Sequence, residues 1–157
     1  MADDLHIIQG TIREQYEQLL PQIEALLLGE DDVIANMANI AAALKEQFGW
    51  LWVGFYIVKK DELVLGPFQG PVACTRIKKG RGVCGAAWAN AATLIVDDVE
   101  NFPGHIACSS LSKSEIVVPV VQNNEVVAVL DVDSVALSTY TELDKMFLEK
   151  VVSFLKF

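Results

Sequence analysis

The feature that most restricts the fold of this chain is the segment "EIVVPVVQNNEVVAVLDVDS", residues 115–134. Two runs of β-branched residues flank the polar turn "QNNE", which predicts an antiparallel hairpin. Side chains alternate along a strand, so Asp131 and Asp133 point to the same face. Glu115 opens one arm and the two aspartates close the other, so the hairpin brings all three carboxylates to one end of a sheet. Acids at strand ends are often simply solvated. A cluster of like charges, however, raises at least one pKa and yields a proton donor near neutral pH.

The remaining elements are read around this hairpin. Ile8, Ile12, Tyr16, Leu19, Leu20, Ile23 and Leu27 stand at helical spacing, with Gly29 as a stop signal. Pro21 is expected to kink this helix or divide it in two. Asp31 and Asp32 cap a second helix over 33–48. From Trp50 the period changes: "LWVGFYIV", the turn "KKDE" and "LVLGPF" predict another hairpin. Short strands are expected over 73–77 and in "TLIV", with a small-residue turn or short helix at "GRGVCGAAWAN" between them. Residues 97–113 read as a loop, and Thr141 starts a final helix with Asp144 in a capping-box position. The expected fold class is α+β: a single domain over 1–157, with a central antiparallel sheet and the N- and C-terminal helices packed on it.

A net charge of −9 argues against binding to nucleic acid or to an anionic membrane. No apolar run approaches the length that spans a bilayer, and the acidic start "MADDLHIIQG" is unlike a signal peptide. The expected location is therefore cytoplasmic, where thiols stay reduced unless chemistry uses them. The chain has three cysteines, an odd number that fits poorly with a structural disulfide framework.

Cys108 lies in the loop "FPGHIACSS", where a thiol is either a small buried hydrophobe or a reactive group. His105 is either a partner that favours its thiolate or a solvated loop histidine. Cys84 sits among glycines and small residues, where the backbone can approach a neighbour closely, and packing is its ordinary use. Cys74 precedes a basic segment, and Arg76 would lower its pKa if both side chains pointed the same way. Three cysteines and His105 would make four metal ligands, but no C-x-x-C pair is present, so neither a metal nor a cofactor is expected. Trp52 and Tyr56 share strand parity, so they belong either to the core or to the wall of a small apolar cavity beside the acids.

Three stretches, "WVGFYIVKKDELVLGPFQGPVACTRIKKGRGVCGAAW", "FPGHIACSSLSKSEIVVPV" and "VLDVDS", together resemble the GAF-domain free methionine-(R)-sulfoxide reductases. The likeness runs from about residue 50 to 134, and the three ordered cysteines, "GHIAC", "SEIV" and "LD-x-DS" set these enzymes apart from GAF sensor domains. The resemblance implies a GAF-like fold and a thiol reductase for free methionine sulfoxide. Cys108 would be the nucleophile, Cys74 the resolving thiol, and Cys84 a second or alternative one. Glu115, Asp131 and Asp133 would bind and polarise the substrate, and Trp52 and Tyr56 would hold its methyl group. Cys108 would pass through a sulfenic acid to an intramolecular disulfide, recycled by thioredoxin or a similar dithiol. The apolar N-terminal helices point to a homodimer formed through them. The competing expectation is a non-catalytic GAF sensor that binds a small ligand in the same cavity.

Overall fold

The hairpin that dominates the sequence forms the spine of the sheet. In a computed structural model describing residues 4–157, β5 (Ser114–Gln122) and β6 (Glu125–Ser134) pair antiparallel around Asn123 and Asn124. Both asparagines have positive φ, 52° and 64°, as two-residue hairpin turns of the favoured twist require. β1 (Trp52–Lys59) pairs with the other edge of β6, and β2 (Glu62–Gln69) with β1. The short strands β3 (Arg76–Lys78) and β4 (Leu94–Val96) complete a six-stranded sheet of order β3-β2-β1-β6-β5-β4. Every neighbouring pair in it is antiparallel.

Strand alternation divides the core in two. Val53, Phe55, Ile116, Val118, Leu130 and Val132 face α1 (Ile12–Leu27), α2 (Val33–Phe48) and α4 (Glu142–Val152). Trp52, Tyr56, Val117 and Val129 face the other way, against α3 (Gly82–Asn90) and the loops around it. The first face is closed by helices along its length. On the second, one short helix leaves part of the sheet to be covered by loops, and the three acids lie on that side.

The expected α+β architecture is the one observed, and three local expectations change. The first helix starts at Ile12 rather than at Ile8, because Thr11 and Glu14 form a reciprocal capping box there. Pro21 does not divide it: α1 runs unbroken to Leu27. Pro21 and Glu17 are both exposed, so the carbonyl that loses its amide partner faces water. The strand expected at 73–77 forms as Arg76–Lys78, which leaves Cys74 in the preceding loop. Thr141 and Asp144 form the capping box expected of α4, and Asp144 also accepts a 2.6 Å bond from the buried Tyr16 hydroxyl. No helix among the described residues is long and apolar enough to cross a membrane.

Candidate active site

The register of β5, β6 and β1 builds the floor of the site. Glu115 stands opposite Asp133, Asp131 opposite both Val117 and Gly54, and Trp52 opposite Asp133. All three acids therefore share the face that α3 covers only in part. Gly54 is required at its position. A Cβ there would lie 2.3 Å from the Phe68 Cβ and 2.6 Å from the tip of the Trp52 indole. With no side chain at that point, Trp52 lies flat and stacks on Phe68 at a centroid distance of 5.2 Å.

The outer wall comes from two loops joined by a disulfide between Cys74 and Cys108, with Cα atoms 5.4 Å apart. Trp52 and Tyr56 hold one of these loops in place. The Trp52 indole N–H donates to the Pro71 carbonyl at 3.0 Å, and the Tyr56 hydroxyl donates to the Cys74 carbonyl at 2.8 Å. Cys84 enters from the first turn of α3, which no side chain caps. The helix approaches β3 closely because of Gly85, where a Cβ would lie 2.5 Å from the Lys78 carbonyl. The sequence expectation of a close backbone approach beside Cys84 is met at this contact.

Between floor and wall is a cavity of about 50 Å3. Trp52, Tyr56, Cys84, Cys108, Glu115, Asp131 and Asp133 all line it. Cys74 stands behind this lining, bonded to Cys108. Cys84 is the free cysteine among the described residues; it is buried, with Sγ 4.0 Å from Glu115 Oε1.

Burial controls the electrostatics. Glu115 and Asp131 are 5% and 7% exposed, and Asp133 is half-buried. Desolvation, followed by the charges of its acidic neighbours, pushes Glu115 well above the ordinary carboxylate range. Asp133 moves the same way through burial and the charge of Asp131, although the Ser112 hydroxyl, donating to Oδ1 at 2.8 Å, opposes the shift. Burial also raises Asp131, while hydrogen bonds from Glu115, Cys84 and Asp133 hold it back. Asp131 Oδ1 meets no permanent donor among the described residues, so a hydrogen bond to it requires a proton carried by one of those neighbours. The Cys84 thiol is pushed well above its usual value, first by burial and then by the three acids. The cluster as a whole retains protons that separate, solvated acids would lose.

Two polar contacts lie outside what the residue pattern suggested. His105, weighed as a partner for Cys108, places Nε2 4.0 Å from Glu115 Oε2, and burial lowers its pKa. Ser112 precedes β5 on the approach to Glu115, in a loop without periodicity, so no sequence signal directs it to Asp133.

A sheet with α1, α2 and α4 behind it and a loop-walled pocket in front defines a GAF domain, and the profile of that family matches residues 28–155. The "GAF domain-containing protein A" of Dictyostelium discoideum is 62% identical, covering 99% of this chain and 99% of its own. The free methionine-R-sulfoxide reductase of Escherichia coli K12 is 45% identical over 89% of this chain and 86% of its own. The solved structure of free methionine-R-sulfoxide reductase from Neisseria meningitidis in complex with its substrate superposes with a TM-score of 0.95. It is 52% identical and covers 98% of this chain and 93% of that one. The present chain belongs to the GAF domain family and, within it, to the free methionine-R-sulfoxide reductases.

Proposed function

We propose that this protein reduces free methionine-(R)-sulfoxide to methionine, using its own cysteines and then an external dithiol such as thioredoxin. The observation that carries this reading is the meeting of Cys108 and three proton-retaining acids around one small cavity. The names of the similar reductases support the same substrate.

A sulfoxide sulfur is a poor electrophile until its oxygen is protonated or strongly hydrogen-bonded. Glu115 or Asp133, kept protonated by burial, supplies that bond. In the reduced protein the Cys108 thiolate attacks the sulfur. The oxygen passes to Cys108 as a sulfenic acid, methionine leaves, and the substrate sulfur gains the two electrons that Cys108 loses. The Cys74 thiol then displaces water from the sulfenic acid. The resulting bond is the Cys74–Cys108 disulfide of this structure, and a dithiol returns two electrons by exchange. Cys84 is a second or alternative resolving thiol.

Asp131 holds the substrate ammonium. Backbone N–H groups of the Cys108 loop and of the uncapped first turn of α3 receive its carboxylate. Trp52 and Tyr56 enclose the methyl group. A pocket that pairs both charged ends discriminates against a peptide-linked residue, because its buried polar groups would then lack their partners.

Cytoplasmic residence, where dithiol reductants operate, belongs to this proposal. So does a homodimer through the N-terminal helices, which is supported by the exposure of Ile12, Leu28 and Ile34. Sedimentation at the monomer mass would remove the dimer.

The deciding experiment gives the reduced protein free methionine sulfoxide diastereomers and a dithiol and measures released methionine. Turnover of the free R form alone, with peptide-linked sulfoxide untouched, is the expected result. No turnover of any form would leave a ligand-binding GAF domain instead.

A further inference from the structure

Cys84, Glu115 and Asp131 each offer a donor atom, and these atoms lie within 4.8 Å of one another on the pocket floor. All three residues are buried. Asp131 Oδ1 is buried and meets no permanent donor among the described residues, so without a neighbour's proton it would stand unpaired, an expensive state. On the open side, His105 Nε2 is 4.0 Å from Glu115 Oε2 and has only 17% of its side chain exposed. A thiol and two carboxylates thus converge on one corner of the cavity, with an imidazole beside Glu115. The four ligands weighed from sequence, three cysteines and His105, are a different set, since Cys74 and Cys108 are joined to each other.

We propose that this corner is a binding site for a borderline divalent cation of the Zn2+ class, with Cys84, Glu115 and Asp131 as ligands and a solvent molecule in the fourth position. A thiolate ligand selects such an ion over Mg2+ or Ca2+, which take oxygen ligands in higher number. Bond lengths of about 2.0–2.3 Å place tetrahedral ligand atoms roughly 3.3–3.8 Å apart, so the donors must close by about 1 Å. A dication takes the place of the protons that the desolvated floor retains and gives Asp131 Oδ1 a partner. The site survives oxidation of the other two cysteines, because Cys84 stays free when Cys74 and Cys108 are bonded. Since Glu115 and Asp131 are also the acids assigned above to the substrate, the cation and methionine sulfoxide exclude each other. That consequence rests on the proposed function; binding of the cation does not.

The test titrates Co2+ into the oxidised protein, with the Cys74–Cys108 disulfide intact and no substrate present. The expected result is a near-ultraviolet thiolate-to-cobalt absorption that saturates at one equivalent, is displaced by Zn2+ and is absent in Cys84→Ser. Asp131→Asn weakens the affinity by about tenfold or more, as loss of a ligand should. A Cys74→Ser/Cys108→Ser double variant keeps the absorption. Melting curves identify any variant that fails to fold, and Cys84→Ala then replaces Cys84→Ser. Three results overturn the proposal: no absorption in the wild type, a band that persists without Cys84, or a band that vanishes in the double variant. None of them depends on turnover, so failure of the cation site and failure of the reductase assignment are separately visible.

Discussion

Glu115 and Asp133 are direct cross-strand partners on β5 and β6, with Glu115 5% exposed and Asp133 half-buried. Two like-charged side chains set opposite each other weaken a sheet, more so away from water. The arrangement persists at lower cost when protons are retained, and retained protons are what the proposed chemistry requires.

Stability should therefore depend on these acids with a defined sign. The folded-state pKa of Glu115 is raised above its ordinary value of 4.5. The protonated form is thus favoured by folding, and its contribution is fully present below about pH 4.5 and lost as pH climbs through the raised value. Glu115→Gln should make the fall of melting temperature at higher pH shallower. At neutral pH it should raise the melting temperature by about 2–4 °C, equivalent to about 1 kcal/mol. Thermal melts across a pH series read both effects.

Activity should show the opposite cost. Glu115→Gln and Asp133→Asn each remove a candidate proton donor, and whichever acts should lower kcat by about 100-fold or more. In the wild type, turnover should decline at high pH as the cluster ionises, with the low-pH limb set by loss of the Cys108 thiolate. A single rising limb in the pH–rate profile would remove the acid from the mechanism.

The cysteines separate by step. Cys108→Ser should release no methionine. Cys74→Ser should complete one turnover and then fail in thioredoxin-coupled recycling. Methionine counted per protein molecule in a single-turnover reaction distinguishes the two, and undiminished recycling in Cys74→Ser would pass the resolving role to Cys84.

Tyr56→Phe keeps the ring against the pocket and removes the bond to the Cys74 carbonyl. Its stability cost should be about 1 kcal/mol. The larger effect should be on the rate of disulfide formation, because the loop that carries Cys74 loses its anchor. Quenched-flow trapping of free thiols after sulfoxide addition measures that rate apart from methionine release.

Gly54→Ala forces both the Trp52 ring and the β2 backbone at Phe68 to move, since the new methyl group would overlap the indole tip and the Phe68 Cα and Cβ. Overpacking of this kind costs about 1–3 kcal/mol. KM for the sulfoxide should rise with it, as Trp52 forms part of the pocket wall. An unchanged KM would separate Trp52 from substrate binding.

The residue order alone determined that the three acids gather at one end of the sheet and that Asp131 and Asp133 share a face. Period-two alternation sets Asp131 and Asp133 on one face and pairs Trp52 with Tyr56, and the hairpin turn brings Glu115 to the same end; the register shift at Val120–Val121 then sets Glu115 opposite Asp133 rather than Val132, and so on the same face. Capping residues likewise announced the start of α2 and α4. These features are legible because each depends on neighbours a few positions away. Tertiary structure decided the rest: the meeting of Cys74 with Cys108, the turning of His105 towards Glu115, the reach of Ser112 to Asp133, and the burial that keeps the cluster protonated. These relations arise in loops that carry no period, or from solvent exclusion by elements far apart in the chain. Desolvation sums over everything packed around a group, so no local pattern of residues encodes it.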